Sequence, residues 1–209
     1  MRATIITLLF CIPVALSAQS KWEKPQSSGE TAVTKTTSEY QYAKYLGNVV
    51  PEVNGEVVWE KTFTNTADAA SNYETMVKFL TAMTKEEDQL EKSQVAVVNK
   101  EEGKVVCHFE EWMTFTKKAL SLDRTRFIYT LLAECSDHKV KVTIFRISYW
   151  YEEQRNGGEH FKAEEWITDK WGLNKKRTRL ARISGKFRRK TVDRVEEIYN
   201  NIGQCLSAQ

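Results

Sequence analysis

The sequence predicts an α+β fold: one antiparallel β-sheet with two helices packed on one of its faces. Five runs alternate apolar and polar residues with period two, and two stretches repeat apolar residues at helical spacing. The connections between most of these runs are short, so successive strands must return beside one another, and the helices between and after them must cover the apolar side of the sheet. The composition agrees. A chain of 209 residues that is 41% hydrophobic and 28% charged, with three prolines, has the profile of one folded domain. Disordered, collagen-like and multi-span membrane classes are excluded by it.

Val49, Val50, Pro51 and the turn pair Asn54-Gly55 lead into Val57, Val58, Trp59 and Phe63, which predicts a turn feeding a first strand over Glu56–Thr64. Ala69, Tyr73, Met76, Val77, Leu80 and Met83 then follow the helical period. Thr66 or Asp68 is available as a cap, and Ser71 to Glu74 fits a capping box one turn later. Four strands succeed one another at Val95–Val98, Val105–Thr116, Arg126–Cys135 and Val140–Tyr151, joined by turns at Asn99–Gly103, Lys117–Asp123 and Ser136–Lys139. Ala163, Trp166, Ile167, Lys170 and Trp171 predict a short helical segment. A last helix is expected to open at Thr191, to present Val192, Val195, Ile198 or Tyr199, and Ile202, and to stop at Gly203. The predicted order is β-α-β-β-β-β-(short α)-α, in a single domain over residues 45–209.

Ahead of that domain, Arg2 precedes a run from Ile5 to Leu16 that is apolar except for Thr7, and Ala15, Ser17 and Ala18 follow. This is the pattern of a secretory signal peptide over residues 1–18, shorter than the ~20 apolar residues of a membrane-spanning helix. The expectation is an exported chain, periplasmic or extracellular, with no transmembrane helix after cleavage. Residues 19–44 are polar and unpatterned, which predicts a flexible leader. Cys107, Cys135 and Cys205 remain beyond the signal. Cys107 and Cys135 alternate with apolar core positions and are expected as buried, reduced thiols, facing each other if the 117–123 connection is a simple hairpin.

Three separated segments also resemble a known family. They are Val50-Pro51-Glu52-Val53-Asn54-Gly55-Glu56-Val57-Val58-Trp59, then Glu164-Glu165-Trp166-Ile167-Thr168-Asp169 continuing to Leu173-Asn174-Lys175-Lys176, and Gly185-Lys186-Phe187-Arg188-Arg189-Lys190-Thr191-Val192-Asp193. In this order they resemble the domain of unknown function 4468, over about Tyr45 to Leu206. The resemblance implies a fold similar to one half of the TATA-binding-protein saddle and an exported protein of Bacteroidetes. It supplies no catalytic residues, and its fold name does not imply DNA binding, since function belongs to sites and not to folds.

The strongest chemical signal is charge. Lys175, Lys176, Arg177, Arg179, Arg182, Lys186, Arg188, Arg189 and Lys190 fall in one stretch without an acid. The whole chain is only +3, so the remainder is net acidic. Such a stretch, with Trp166 and Trp171 beside it, is the expected site for an anionic lipid, glycan or acidic protein. Alternatively its arginines pair with glutamates of the same fold. Nucleic acid is not expected, because no recognition motif accompanies the basic run. No cofactor is expected. The second functional reading is a metal-dependent hydrolase. His108 and Glu110 share a strand face, and Glu134 would oppose His108 in a hairpin centred near Ser121, giving three ligands for zinc. The preferred reading is a binding or structural module without catalysis.

Overall fold

The computed structural model describes residues 42–119, 121–155 and 157–208; the predicted signal peptide and residues 19–41 of the predicted leader lie outside them. The chain builds strands β1 (Glu52–Val53), β2 (Glu56–Val57) and β3 (Trp59–Thr64), helix α1 (Ala69–Met83), strands β4 (Gln94–Asn99), β5 (Lys104–Lys118), β6 (Ser121–Ser136), β7 (Lys139–Tyr151) and β8 (Glu159–Lys162). A 3₁₀ turn (Ala163–Glu165), the short helix α2 (Asp169–Gly172) and helix α3 (Ser184–Ser207) complete it. The large sheet has the order β3-β7-β6-β5-β4, and every pairing is antiparallel. The predicted α+β layout therefore holds.

β8 pairs with β7 on the edge that β3 also uses. The sharing is possible because β7 bulges: Ile128 faces Ser148 while Thr130 faces Phe145, and Arg146 takes a left-handed φ of 54°. A bulge bends its strand and increases its twist. β3 accordingly occupies the first half of β7, and β8 the second.

One face of the sheet is apolar. Val105, Cys107, Phe109 and Met113 on β5, Phe127, Tyr129, Leu131 and Ala133 on β6, and Val140, Val142, Ile144, Ile147 and Tyr149 on β7 are all buried. Both long helices supply the other half of this core. Asp68 caps α1 by accepting from Ser71 N at 2.8 Å, and Tyr73, Met76, Leu80 and Met83 are buried. From α3, Phe187, Thr191, Val195, Ile198, Ile202 and Leu206 are buried at steps of three or four residues. The other face of the sheet carries no helix of the described residues.

The structure corrects several expectations. α3 opens at Ser184, two turns before Thr191, whose hydroxyl is buried in mid-helix 2.6 Å from that of Tyr149. Gly203 does not end the helix; a Cβ there would meet Phe63 at 3.4 Å, an ordinary contact. The expected helix around 163–171 is divided into the 3₁₀ turn and α2. Asn54-Gly55 joins β1 to β2 in a small hairpin of its own, both residues having positive φ as such a turn requires. Lys44, at the end of the predicted leader, is tied to α3 through Asp193 at 2.7 Å and Glu196 at 3.2 Å.

The β5–β6 register also differs. The strands continue to Lys118↔Ser121, so the connection is two residues long. Cys107 then faces Leu131, and the Cys135 amide donates to Gly103 O, which leaves the two thiols four residues apart along the ladder. Both are free and buried.

Candidate functional site

The nine cations of the basic stretch do not form one patch. α3 takes four of them and turns each to a different environment. Arg188 is fully buried, with 0% exposure. Its Nε donates to Tyr45 O at 2.7 Å, its Nη1 to Ile167 O at 2.8 Å, and its Nη2 to Gly47 O at 2.6 Å and Asp169 Oδ1 at 2.7 Å. Burial pulls its pKa down, against the opposing effect of Asp169. The guanidinium is thus a structural bolt joining α3, α2 and the segment ahead of β1. It is not available to an external anion, which corrects its expected role.

Lys186 turns to the fold as well. Its ammonium lies 2.7 Å from Asp123 Oδ2 and 4.5 to 4.6 Å from the ring centroids of Phe115 and Tyr151. Lys190 lines a cleft with Glu86, Glu87, Asp88, Glu111, Asp193 and Glu197. Arg194 anchors that cleft through Glu111 at 2.8 Å, Glu86 at 3.0 Å and Glu197 at 3.0 Å. Arg189 is half-buried without an ion pair among the described residues.

Lys175, Lys176, Arg177, Arg179 and Arg182 are different. All five are exposed, and none forms an ion pair among the described residues. They stand on an ordered loop between α2 and α3. Its feet, Leu173 and Leu180, form an antiparallel bridge. Asn174 closes it: its Oδ1 accepts from Thr178 N at 2.9 Å and Arg179 N at 3.2 Å, while its own N–H donates to Arg179 O at 2.9 Å. The short polar side chain satisfies the turn's backbone groups, as asparagine does in such turns. Arg177, with φ 53°, occupies the tight position.

The two tryptophans separate. Trp166 stacks on Phe161 with centroids 3.9 Å apart and meets Phe187 edge-on at 5.8 Å, so it belongs to the rim of the core. Trp171 is 46% exposed, with the Lys170 ammonium 4.6 Å from its ring. Beside it lies a residue that sequence reading missed. Ile183 is 60% exposed, and the next residue, Ser184, donates its hydroxyl to Trp171 O at 2.5 Å. An isolated isoleucine after Arg182 carries no sequence signal; only the hydrogen bond from the start of α3 to Trp171 O brings its neighbour Ser184 to the tryptophan's backbone.

The predicted zinc set does not assemble. His108 faces Thr130, and Glu134 faces Lys104. Glu110, 2% exposed, is held by Arg126 at 2.6 Å. The register, shifted from the one expected, separates the donors.

A second unforeseen feature crosses the helix-free face. Trp112, Arg126, Trp150 and His160 are direct partners on β5, β6, β7 and β8. Arg126 lies 4.5 Å from the Trp150 ring and Arg124 3.5 Å from that of Trp112, while His160 stacks on Trp150 at 4.9 Å. Arg126 is neutralised by Glu110 and Glu153, so the row reads as internal support for an uncovered surface.

Comparison with known proteins bears on the fold and the lineage. The profile described as domain of unknown function (DUF4468) with TBP-like fold matches residues 63–150. The crystal structure of a DUF4468 family protein from Bacteroides ovatus is similar at 36% identity and a TM-score of 0.73, over 80% of this chain and 96% of that one. A TBP-like protein from Parabacteroides distasonis is similar in fold, with a TM-score of 0.58 at 17% identity, over 76% of this chain and 97% of that one. No curated protein matches the chain.

Proposed function

This chain belongs to the DUF4468 family, with its TBP-like fold, and from that premise we propose that it is an exported, non-catalytic binding module whose site is the Leu173–Leu180 loop with Arg182. The observation that carries the reading is the contrast within one basic stretch. Arg188 and Lys186 are held by carboxylates of the fold and Lys190 lines the acid-rich cleft, whereas Lys175, Lys176, Arg177, Arg179 and Arg182 are exposed without carboxylate partners among the described residues. Five like charges held close together on an ordered loop repel one another, and a multivalent anion relieves that repulsion. The shared chemistry of the ligand is therefore closely spaced negative charge, as in an anionic lipid surface, an acidic glycan or an acidic protein segment.

Titration with fluorescently labelled heparin tests this reading. Binding should be measurable in 0.1 M salt and lost in 1 M salt, as the Debye length contracts from ~10 Å to ~3 Å. Binding that is absent at low salt, or unchanged at high salt, contradicts it.

A further inference from the structure

We infer that the loop is the charged rim of a membrane-docking surface, with Trp171 and Ile183 entering the interface of an anionic bilayer. The inference rests on the anion-binding reading above and names the partner. Its independent observation is apolar. Of the large hydrophobic side chains exposed among the described residues, Tyr42, Val53, Val97, Val98 and Leu122 lie on other segments, while Trp171 and Ile183, 46% and 60% exposed, flank the cationic loop in sequence. The hydrogen bond from the Ser184 hydroxyl to Trp171 O ties the start of α3, one residue after Ile183, to the Trp171 backbone.

Around this pair the chain places Lys170, Lys175, Lys176, Arg177, Arg179 and Arg182, all exposed. A soluble acidic glycan or peptide would satisfy the cations but gives no reason to leave an isoleucine and a tryptophan in water together. An anionic bilayer satisfies both. Lipid head groups neutralise the cations, tryptophan is favoured at the level of the head groups, and the isoleucine reaches the acyl boundary. The surface suits shallow docking, and no helix of the described residues is long and apolar enough to cross a membrane. The buried Arg188 beneath α2, holding Ile167 O and Asp169, keeps the platform rigid, so little ordering is required on binding.

The experiment is co-sedimentation of the protein with vesicles of phosphatidylcholine containing 30% phosphatidylglycerol, beside pure phosphatidylcholine vesicles and soluble heparin. The same anionic vesicles are also prepared with brominated acyl chains to quench tryptophan near the interface. The expected result is sedimentation with the anionic vesicles only, together with quenching that disappears in Trp171→Phe. Lys176→Gln/Arg177→Gln should weaken partitioning roughly 25-fold, from about fivefold per cation removed. Trp171→Ala should weaken it roughly tenfold through lost apolar contact. Binding to heparin without binding to anionic vesicles overturns the membrane inference and leaves the anion-binding reading standing. Vesicle binding without quenching of Trp171 also overturns it, because attachment is then electrostatic alone. Binding to neither probe overturns both readings.

Discussion

Arg188 and Arg189 are adjacent in sequence and opposite in role. One is enclosed, with its Nε and both terminal nitrogens donating to three carbonyls and a carboxylate; the other is half-buried with no acid partner among the described residues. Removing Arg188 leaves those acceptors unsatisfied, so Arg188→Ala should cost about 3 to 5 kcal/mol in urea unfolding, the penalty of breaking a buried charged network. Lys176→Ala should leave the unfolding midpoint where it is. This distinction was not legible in the sequence. A run of cations looks solvated until the helix face is known, and the face could not be known while α3 was expected to begin at Thr191. The buried cysteines were legible, because alternation with Val105 and Phe109 assigns Cys107 to the core. Burial pushes the Cys107 thiol up to about 12 and that of Cys135 to about 11, from the ordinary 9.0. Between pH 9 and 12 the unfolded chain has therefore lost a thiol proton that the native chain retains. The stability present below pH 9 falls as pH rises through this window. Buried Tyr129 and Tyr149, also raised by desolvation, act with the same sign. Unfolding measured from pH 8 to pH 11 should show this decline, with a shallower slope in Cys107→Ala; an identical slope would show that the thiol plays no part.

At the scale of elements, periodicity located the strands and α1 but not the registers or the ends of α3. The 117–123 segment contains polar residues that look like turn, yet Thr116↔Asp123 and Lys117↔Leu122 continue the ladder. The tighter turn and the bulge between Thr114 and Thr116 together give Cys107 and His108 partners four positions earlier than expected, Leu131 and Thr130, enough to dissolve the predicted zinc set and to part the cysteines. β8 was missed because its four residues, Glu159–Lys162, are too short to show alternation. Glycines test the helix boundaries. Gly203 is inside α3, with room for a methyl group beside Phe63. Gly203→Ala should thus raise stability by ~0.5 to 1 kcal/mol through helix propensity. Gly172 is the opposite case, since a Cβ there would lie 2.7 Å from Ile167 O and 2.8 Å from Arg188 Cδ. Gly172→Ala should lower the melting temperature by displacing the Arg188 guanidinium. Paired thermal melts check both, and a destabilised Gly203→Ala would mean that the helix does end there.

For the molecule as a whole, the sheet and its two helices separate charges paired within the fold from charges displayed to solvent. Within the basic stretch Lys186 and Arg188 are paired with Asp123 and Asp169, and Lys190 lines the acid-rich cleft around Arg194, leaving the α2–α3 loop without an ion pair among the described residues. The sequence disclosed the surplus of cations, and the fold disclosed which of them face solvent. The most direct measurement of that division compares two variants for heparin binding in 0.1 M salt and for thermal stability. Arg177→Glu/Arg179→Glu should lose binding and melt with the wild type. Arg188→Lys keeps the charge but loses the guanidinium fork, so it should melt at a lower temperature and, while folded, bind like the wild type. Unchanged binding by the loop variant, or lost binding by Arg188→Lys with a wild-type melt, would contradict the account.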